Sequence, residues 1–247
     1  MAALFSSLHR CCQRLALLRV ARQLSSSSSV SRPPLHRRLL RFLTQRFYDV
    51  EELLEWSVRM KKEGIQKKNA YYGFTEQFYG SDIAAGHFVL NMRGGFRYTG
   101  QTDWFRANQR GKFNWDFLTY KDTPLEEVDM SYTVINYRGL DNLVGQQSLK
   151  TLSLRGCPEV DDWFLGRLHV FQNCLEELDI SHCPQITTGG LAALRNLKGL
   201  RRLDVSSLPG ISCPGLVIIL LEEMLPHCQI TATGYDHNLK QQDAEKM

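Results

Sequence analysis

No stretch of this 247-residue chain supplies the ~18 consecutive apolar residues that a membrane-crossing helix needs, the longest apolar run, Leu216 to Leu221, being six. Any membrane association is therefore expected to be peripheral. There is no C-x-x-C pair to give two zinc ligands from one turn. Gly94-Gly95 lies in neither a G-x-G-x-x-G nor a G-x-x-x-x-G-K loop, so no phosphate cradle is expected there. No nucleophile–base arrangement can be read off either. Together these absences speak against an enzyme, a cofactor and a metal centre.

From Met1 to Tyr48 there is no Asp, no Glu and no Lys, yet this segment carries nine arginines. They account for the formal net charge of +4, because the remainder of the chain has 21 basic against 26 acidic residues, a net of −5. The folded part is mildly acidic, and nucleic acid is not expected as a partner. An acid-free, Arg- and Ser-rich start with Leu4, Phe5, Leu8, Leu15 and Leu18 at helical spacing has the composition of a mitochondrial transit peptide. Arginines interrupt its apolar stretch, which argues against a secretory signal. Arg22-Gln23-Leu24 ahead of Ser25 to Ser29 suits a processing point, and cutting there leaves five of the nine arginines and no net charge. A basic arm for acidic lipid or RNA would use Lys as freely as Arg. Of seven cysteines, Cys11 and Cys12 lie in this segment, and the odd five that remain suit a thiol-reducing compartment such as the matrix.

What the chain does have is a repeat. Segments starting at Leu125 (LEEVDM), Leu149 (LKTLSL), Leu175 (LEELDI), Leu200 (LRRLDV) and Leu225 (LPHCQI) share one apolar pattern at intervals of 24, 26, 25 and 25 residues. That period is the one of leucine-rich repeats, each giving a short strand and a helix to a stacked solenoid, and the expected fold class is α/β. Eight residues into three repeats stand Cys157, Cys183 and Leu208, each followed by proline. A column that takes Cys or Leu alike is a packing column, so these cysteines are expected in the core, and neither they nor His182 beside one of them is expected on a metal. Val160, Ile186 and Ile211 follow, with Asp161, Thr187 and Ser212 as helix caps. Leu165, Leu191 and Leu216, then Leu168, Leu194 and Ile219, are expected to close the core from behind the strands.

Alternate strand residues face opposite ways. The open face is therefore expected to show Glu127, Asp129 and Ser131; Thr151, Ser153 and Arg155; Glu177, Asp179 and Ser181; Arg202, Asp204 and Ser206; and His227, Gln229 and Thr231. Glu127, Asp129, Arg155, Glu177, Asp179, Arg202 and Asp204 are the candidate partner-binding residues. Asp179 and Asp204 should stand side by side and repel by up to ~1 kcal/mol. A basic partner would relieve that repulsion; a solvated face balanced by Glu177 beside Arg202 is the alternative, and the sequence leaves both open.

Ahead of the repeats, Asp49 to Lys68 reads as an amphipathic helix with Val50, Leu53, Leu54 and Val58 on its apolar side. Lys61, Lys62, Lys67 and Lys68 read as its solvated, dipole-favoured end. A second helix is expected from Ser81-Asp82 to Gly94-Gly95, the glycines suiting a left-handed end. Phe96, Tyr98, Trp104 and Phe105 would then bury themselves over the first repeat, so that this helical, aromatic-rich cap and the repeats form one cooperative unit. The expected organisation is a transit and basic segment over 1–48, the cap over 49–124, repeats over 125–235 and a disordered tail over 236–247.

The segment GGFRYTGQTDW, with Arg97, Tyr98, Gly100, Gln101 and Trp104 in an R-Y-x-G-Q-x-x-W pattern ahead of cysteine-bearing repeats, resembles the mitochondrial ATP synthase subunit s (coupling factor B) family. The long N-terminal extension and the LEELDISHCPQITTGGLAAL repeat resemble the subunit s-like branch. That resemblance implies a non-enzymatic factor at the matrix side of the inner membrane that helps assemble the distal membrane arm of respiratory complex I. Its partners would be membrane-arm subunits, assembly intermediates and other assembly factors. Coupling or regulation of ATP synthase is the alternative from the other branch. A ubiquitin-ligase substrate adaptor is a further one, since F-box proteins carry such repeats, but no F-box is visible here.

Overall fold

The computed structural model describes residues 50–108 and 110–235, with 38, 41–42 and 44–45. The expectations for 1–48 and for 236–247 fall outside these residues, those isolated positions apart. The chain divides into compact units over 1–57 and 58–247. The division falls inside α1 (Val50–Lys68) and not between the helical half and the repeats.

After α1 come α2 (Gly73–Tyr79), α3 (Ser81–Asn91), β1 (Gly95–Tyr98) and β2 (Phe105–Arg106). The repeats follow as β3 (Leu125–Asp129), β4 (Thr151–Ser153), α4 (Asp162–Arg167), β5 (Glu177–Asp179), α5 (Thr188–Ala192), β6 (Arg202–Asp204), α6 (Pro214–Met224) and β7 (Gln229–Thr231). All seven strands form one sheet in the order β2-β1-β3-β4-β5-β6-β7. From β3 to β7 the strands are parallel, whereas β1 runs antiparallel to β3 and β2 to β1. Val128, Leu152, Leu178 and Leu203 stand in register, all buried. A leucine withdrawn from water in this way contributes about 1.5–3 kcal/mol.

The cap differs from the expectation of helices alone. Phe96 and Tyr98 are fully buried while Arg97 between them faces the other way, so this run is a strand that lengthens the sheet beyond the first repeat. Phe96 meets the rings of Tyr98, Phe105 and Phe117 at centroid distances of 5.1–6.2 Å. α3 backs it with Ile83, Ala85, Phe88, Val89 and Leu90, apolar on all sides and correspondingly enclosed. The left-handed residue at the end of α3 is Arg93 (φ 67°), not either glycine. Gly94 is needed for close approach instead, because a Cβ there would lie 2.6 Å from the Asp129 carbonyl oxygen. Trp104 is not buried: it is 38% exposed, with the Arg106 guanidinium 4.8 Å from its ring centroid.

Two asparagines fix residues 69–72 to the first repeat. Buried Asn69 donates from Nδ2 to the carbonyls of Ile65 (2.9 Å) and Val134 (2.8 Å), and its Oδ1 accepts from the Asn136 N–H (2.9 Å). Asn142 accepts from the Tyr72 N–H (2.8 Å) and donates to the Ala70 and Gly139 carbonyls. α1 is anchored in this way at its C-terminal end. Leu54 and Val58, expected on its buried side, are exposed, and the helix is supported by Glu51 and Glu52 in its first turn and Lys67 and Lys68 in its last.

The last repeat also departs from the expected register. Its helix spans 11 residues where α4 and α5 span six and five, and it starts with Pro214 at the first turn in place of a cap from Ser212. Val217 and Leu221 therefore face the core, while Leu216 and Ile219 are exposed. The longer helix also delays β7 by two residues, so Gln229 pairs with Arg202 and Ile230 with Leu203, and His227 lies ahead of the strand. A two-residue slip preserves side-chain alternation, so Gln229 and Thr231 still face outward.

On α3, His87 is held among the rings of Tyr72, Phe113 and Trp115, and its Nδ1 is buried without a hydrogen-bond partner. Burial lowers the affinity of this ring for a proton. Below about pH 6.5 the unfolded chain then binds a proton that the folded chain does not, so stability falls with falling pH until the folded ring titrates too. Between about pH 7 and pH 5 the wild type should lose more melting temperature than His87→Leu; parallel losses would remove His87 as the cause.

Candidate functional site

The open face of the sheet is built from three columns. Glu127, Thr151, Glu177, Arg202 and Gln229 stand side by side, and next to them Asp129, Ser153, Asp179, Asp204 and Thr231. Between β4 and β7 they line a shallow depression of ≈ 360 Å³. Arg155 lies two residues beyond β4 and is exposed. All seven candidate residues are thus brought to one side of the molecule, with Asp179 directly paired to Asp204.

The third column is only partly open. Ser181 and Ser206, expected on the face, are buried, because the chain turns at the end of each strand and folds the serine under the preceding aspartate. Asp129, Asp179 and Asp204 each accept, through Oδ1, the backbone N–H of the serine two residues on, at 2.9–3.0 Å. Ser206 Oγ then receives the Thr233 N–H at 3.0 Å. The residues that follow, Tyr132, Gly156, His182 and Ser207, all have positive φ, between 51° and 64°. These aspartates therefore hold the turns as well as charging the face.

Two arginines from outside the repeats also reach this face, Arg97, which the sequence singles out only within the R-Y-x-G-Q-x-x-W pattern, and Arg106, which it does not single out. Arg97 of β1 pairs with Glu127, and Arg106 of β2 with Asp129 at 2.8 Å. Arg202 pairs with Glu177 as expected. Such partly exposed pairs are worth at most about 1 kcal/mol each, but they neutralise the N-terminal end of the face. Asp179 and Asp204 make no ion pair among the described residues. The charge they leave is felt by Arg155, whose guanidinium is held protonated above its ordinary range first by a hydrogen bond to Tyr132 and then by the two aspartates. The alternation of Phe96, Arg97 and Tyr98 was the available signal that Arg97 points onto this face.

Cys157 and Cys183 point into the core, donating to the Met130 carbonyl at 3.0 Å and the Leu154 carbonyl at 3.1 Å. Burial pushes the Cys157 thiol up and that of Cys183 to about 12, which makes both poor thiolate ligands. His182 is exposed. In the R-Y-x-G-Q-x-x-W segment, burial likewise pushes the Tyr98 phenol up, and its hydroxyl donates to the Phe117 carbonyl at 3.3 Å. Gly100 takes φ 77° in a turn closed by the Gln101 N–H on the Tyr98 carbonyl at 3.1 Å. The motif is mostly structural; Arg97 alone reaches the face.

Residues 171–194 match the leucine-rich repeat family model. The chain is similar to Distal membrane arm assembly component 2 of Drosophila melanogaster, with 34% identity over 164 residues, 64% of this chain and 56% of that protein. It is also similar to mitochondrial ATP synthase subunit s of Rattus norvegicus, 30% identical over 157 residues, and of Homo sapiens, 27% identical over 159, each match covering 61% of this chain and 75% of the relative. With 30% identity across three quarters of the rat relative's length, this chain belongs to the mitochondrial ATP synthase subunit s family.

Proposed function

We propose that this protein is a non-enzymatic assembly factor for mitochondrial respiratory complex I that acts on the distal membrane arm by binding protein partners. The observation that carries this reading is the likeness to the Drosophila arm-assembly component at 34% identity. Five leucine-rich repeats closed by the N-terminal helices and hairpin serve as the scaffold, residing in the matrix and peripheral to the inner membrane. No described helix is long and apolar enough to cross a membrane. Glu127, Asp129, Arg155, Glu177, Asp179, Arg202 and Asp204 form the docking face, with its anionic focus at Asp179 and Asp204. A basic partner segment would relieve the repulsion between these two carboxylates. Coupling or regulation of ATP synthase is the second reading, favoured by the 75% coverage of the rat subunit.

Affinity capture of the full chain from mitochondria separates them: complex I membrane-arm subunits are expected, and F-type ATP synthase subunits in their place would install the second reading. The face is tested with Asp179→Asn and Asp204→Asn together. Asparagine keeps the Oδ1 acceptor for the turn and removes the charge, so capture should fall at least about tenfold while melting is preserved. Undiminished capture would put the docking site elsewhere.

A further inference from the structure

A second surface is built from the segment joining α1 to α3. Tyr71, Phe74, Phe78 and Tyr79 are all exposed, Phe74 by 77% and Phe78 by 62%, and the ring centroids of Phe74 and Phe78 are 4.6 Å apart. Exposed aromatics elsewhere, such as Tyr132 and Trp163, stand singly in sequence and need no partner. α2 packs on α3, with Thr75 and Glu76 partly covered while the phenylalanines are left outside. Residues 71–79 therefore hold out an apolar patch edged by phenol groups, the chemistry suited to a boundary between apolar and wet phases.

Charge selects the occupant. Residues 58–79 carry Arg59, Lys61, Lys62, Lys67 and Lys68 against Glu63 and Glu76, a net of +3, whereas residues 80–235 carry 14 basic and 17 acidic residues, a net of −3. All five basic side chains are exposed. From Lys68 to the start of α2 is five residues, a reach of at most about 18 Å, so the lysines and rings can meet one flat surface together. We propose that residues 58–79 dock on an anionic phospholipid surface, with Phe74 and Phe78 entering the headgroup layer and Lys67 and Lys68 meeting lipid phosphates. This deepens the peripheral membrane location in the reading above and rests on it only for which membrane is met.

The test is flotation of the full chain with phosphatidylcholine vesicles containing about one-fifth phosphatidylglycerol, against phosphatidylcholine alone. The chain should float with the anionic vesicles, and hydrogen exchange of residues 71–79 should slow on them. Phe74→Ser with Phe78→Ser should weaken binding at least about tenfold, and so should Lys67→Glu with Lys68→Glu. The second pair keeps the test open if the first folds poorly. Flotation undiminished in both pairs would overturn the proposal and give the binding to the arginines of 1–48. It would also fall if the phenylalanine pair abolished capture of a protein and left flotation intact. Complex I subunits captured by a chain that ignores vesicles would sink this inference alone; vesicle binding without those subunits would sink only the assembly reading.

Discussion

Phe96→Ala is expected to cost about 3–5 kcal/mol, enough to remove a large part of the stability of a domain this size. The ring is fully buried where α3 meets the sheet, in contact distance of Tyr98, Phe105 and Phe117, and Gly86 of α3 leaves room for it, since a Cβ there would lie 2.8 Å from the Phe96 ring. Truncation would leave a cavity that backbone on both sides prevents from collapsing. Trp104→Ala, eight residues on, should cost less than about 1 kcal/mol, because that ring is at the surface and gives up mainly its contact with Arg106. Chemical denaturation of the two variants measures the contrast. Similar losses would mean that the aromatic segment stabilises the end of the repeats through Trp104 as well.

Asn69→Ala should cost about 2–4 kcal/mol. Its amide is joined to three backbone groups, and removal leaves the Val134 carbonyl and the Asn136 N–H without their partner in a buried site, each costing about 1–3 kcal/mol when unpaired. Asn69→Asp is the sharper comparison: it keeps the acceptor for Asn136 and sets a carboxylate against the Val134 carbonyl, so it should be no more stable than alanine. Hydrogen exchange should also show residues 133–142 opening earlier in the alanine variant. Unchanged protection there would mean that the loop of the first repeat is held without this contact.

The repeats were legible because their period is enforced at every turn of the chain. A buried leucine column tolerates little besides apolar residues, so Leu152, Leu178 and Leu203 announce both strand and register. The caps at Asp161 and Thr187 were legible for the same reason, each accepting a backbone N–H of the first turn. Legibility failed where one repeat meets something other than another repeat. In the last one, Pro214 starts a longer helix and moves the core positions from Leu216 and Ile219 to Val217 and Leu221. At the first one, β1 (Gly95–Tyr98) offers only one alternation, Phe96, Arg97 and Tyr98, and its pairing depends on β3, some thirty residues away. Strand alternation alone sets which side chains share the outer columns of the sheet. The ion pairs across them do not follow from it, since Arg97 and Arg106 come from outside the repeat pattern, and the turn-holding role of Asp179 and Asp204 depends on backbone geometry that spacing does not reveal.

The antiparallel hairpin at one edge of an otherwise parallel array gives the sheet a mechanical polarity. β7 is bonded within the sheet to β6 alone, whereas β3 is gripped on one side by β4 and on the other by β1. Each repeat contacts chiefly its neighbours, so a load applied from the C-terminal side meets them one at a time. Pulled from that end, the array should peel strand by strand from β7 toward β3 and give up the hairpin with its buried aromatics last.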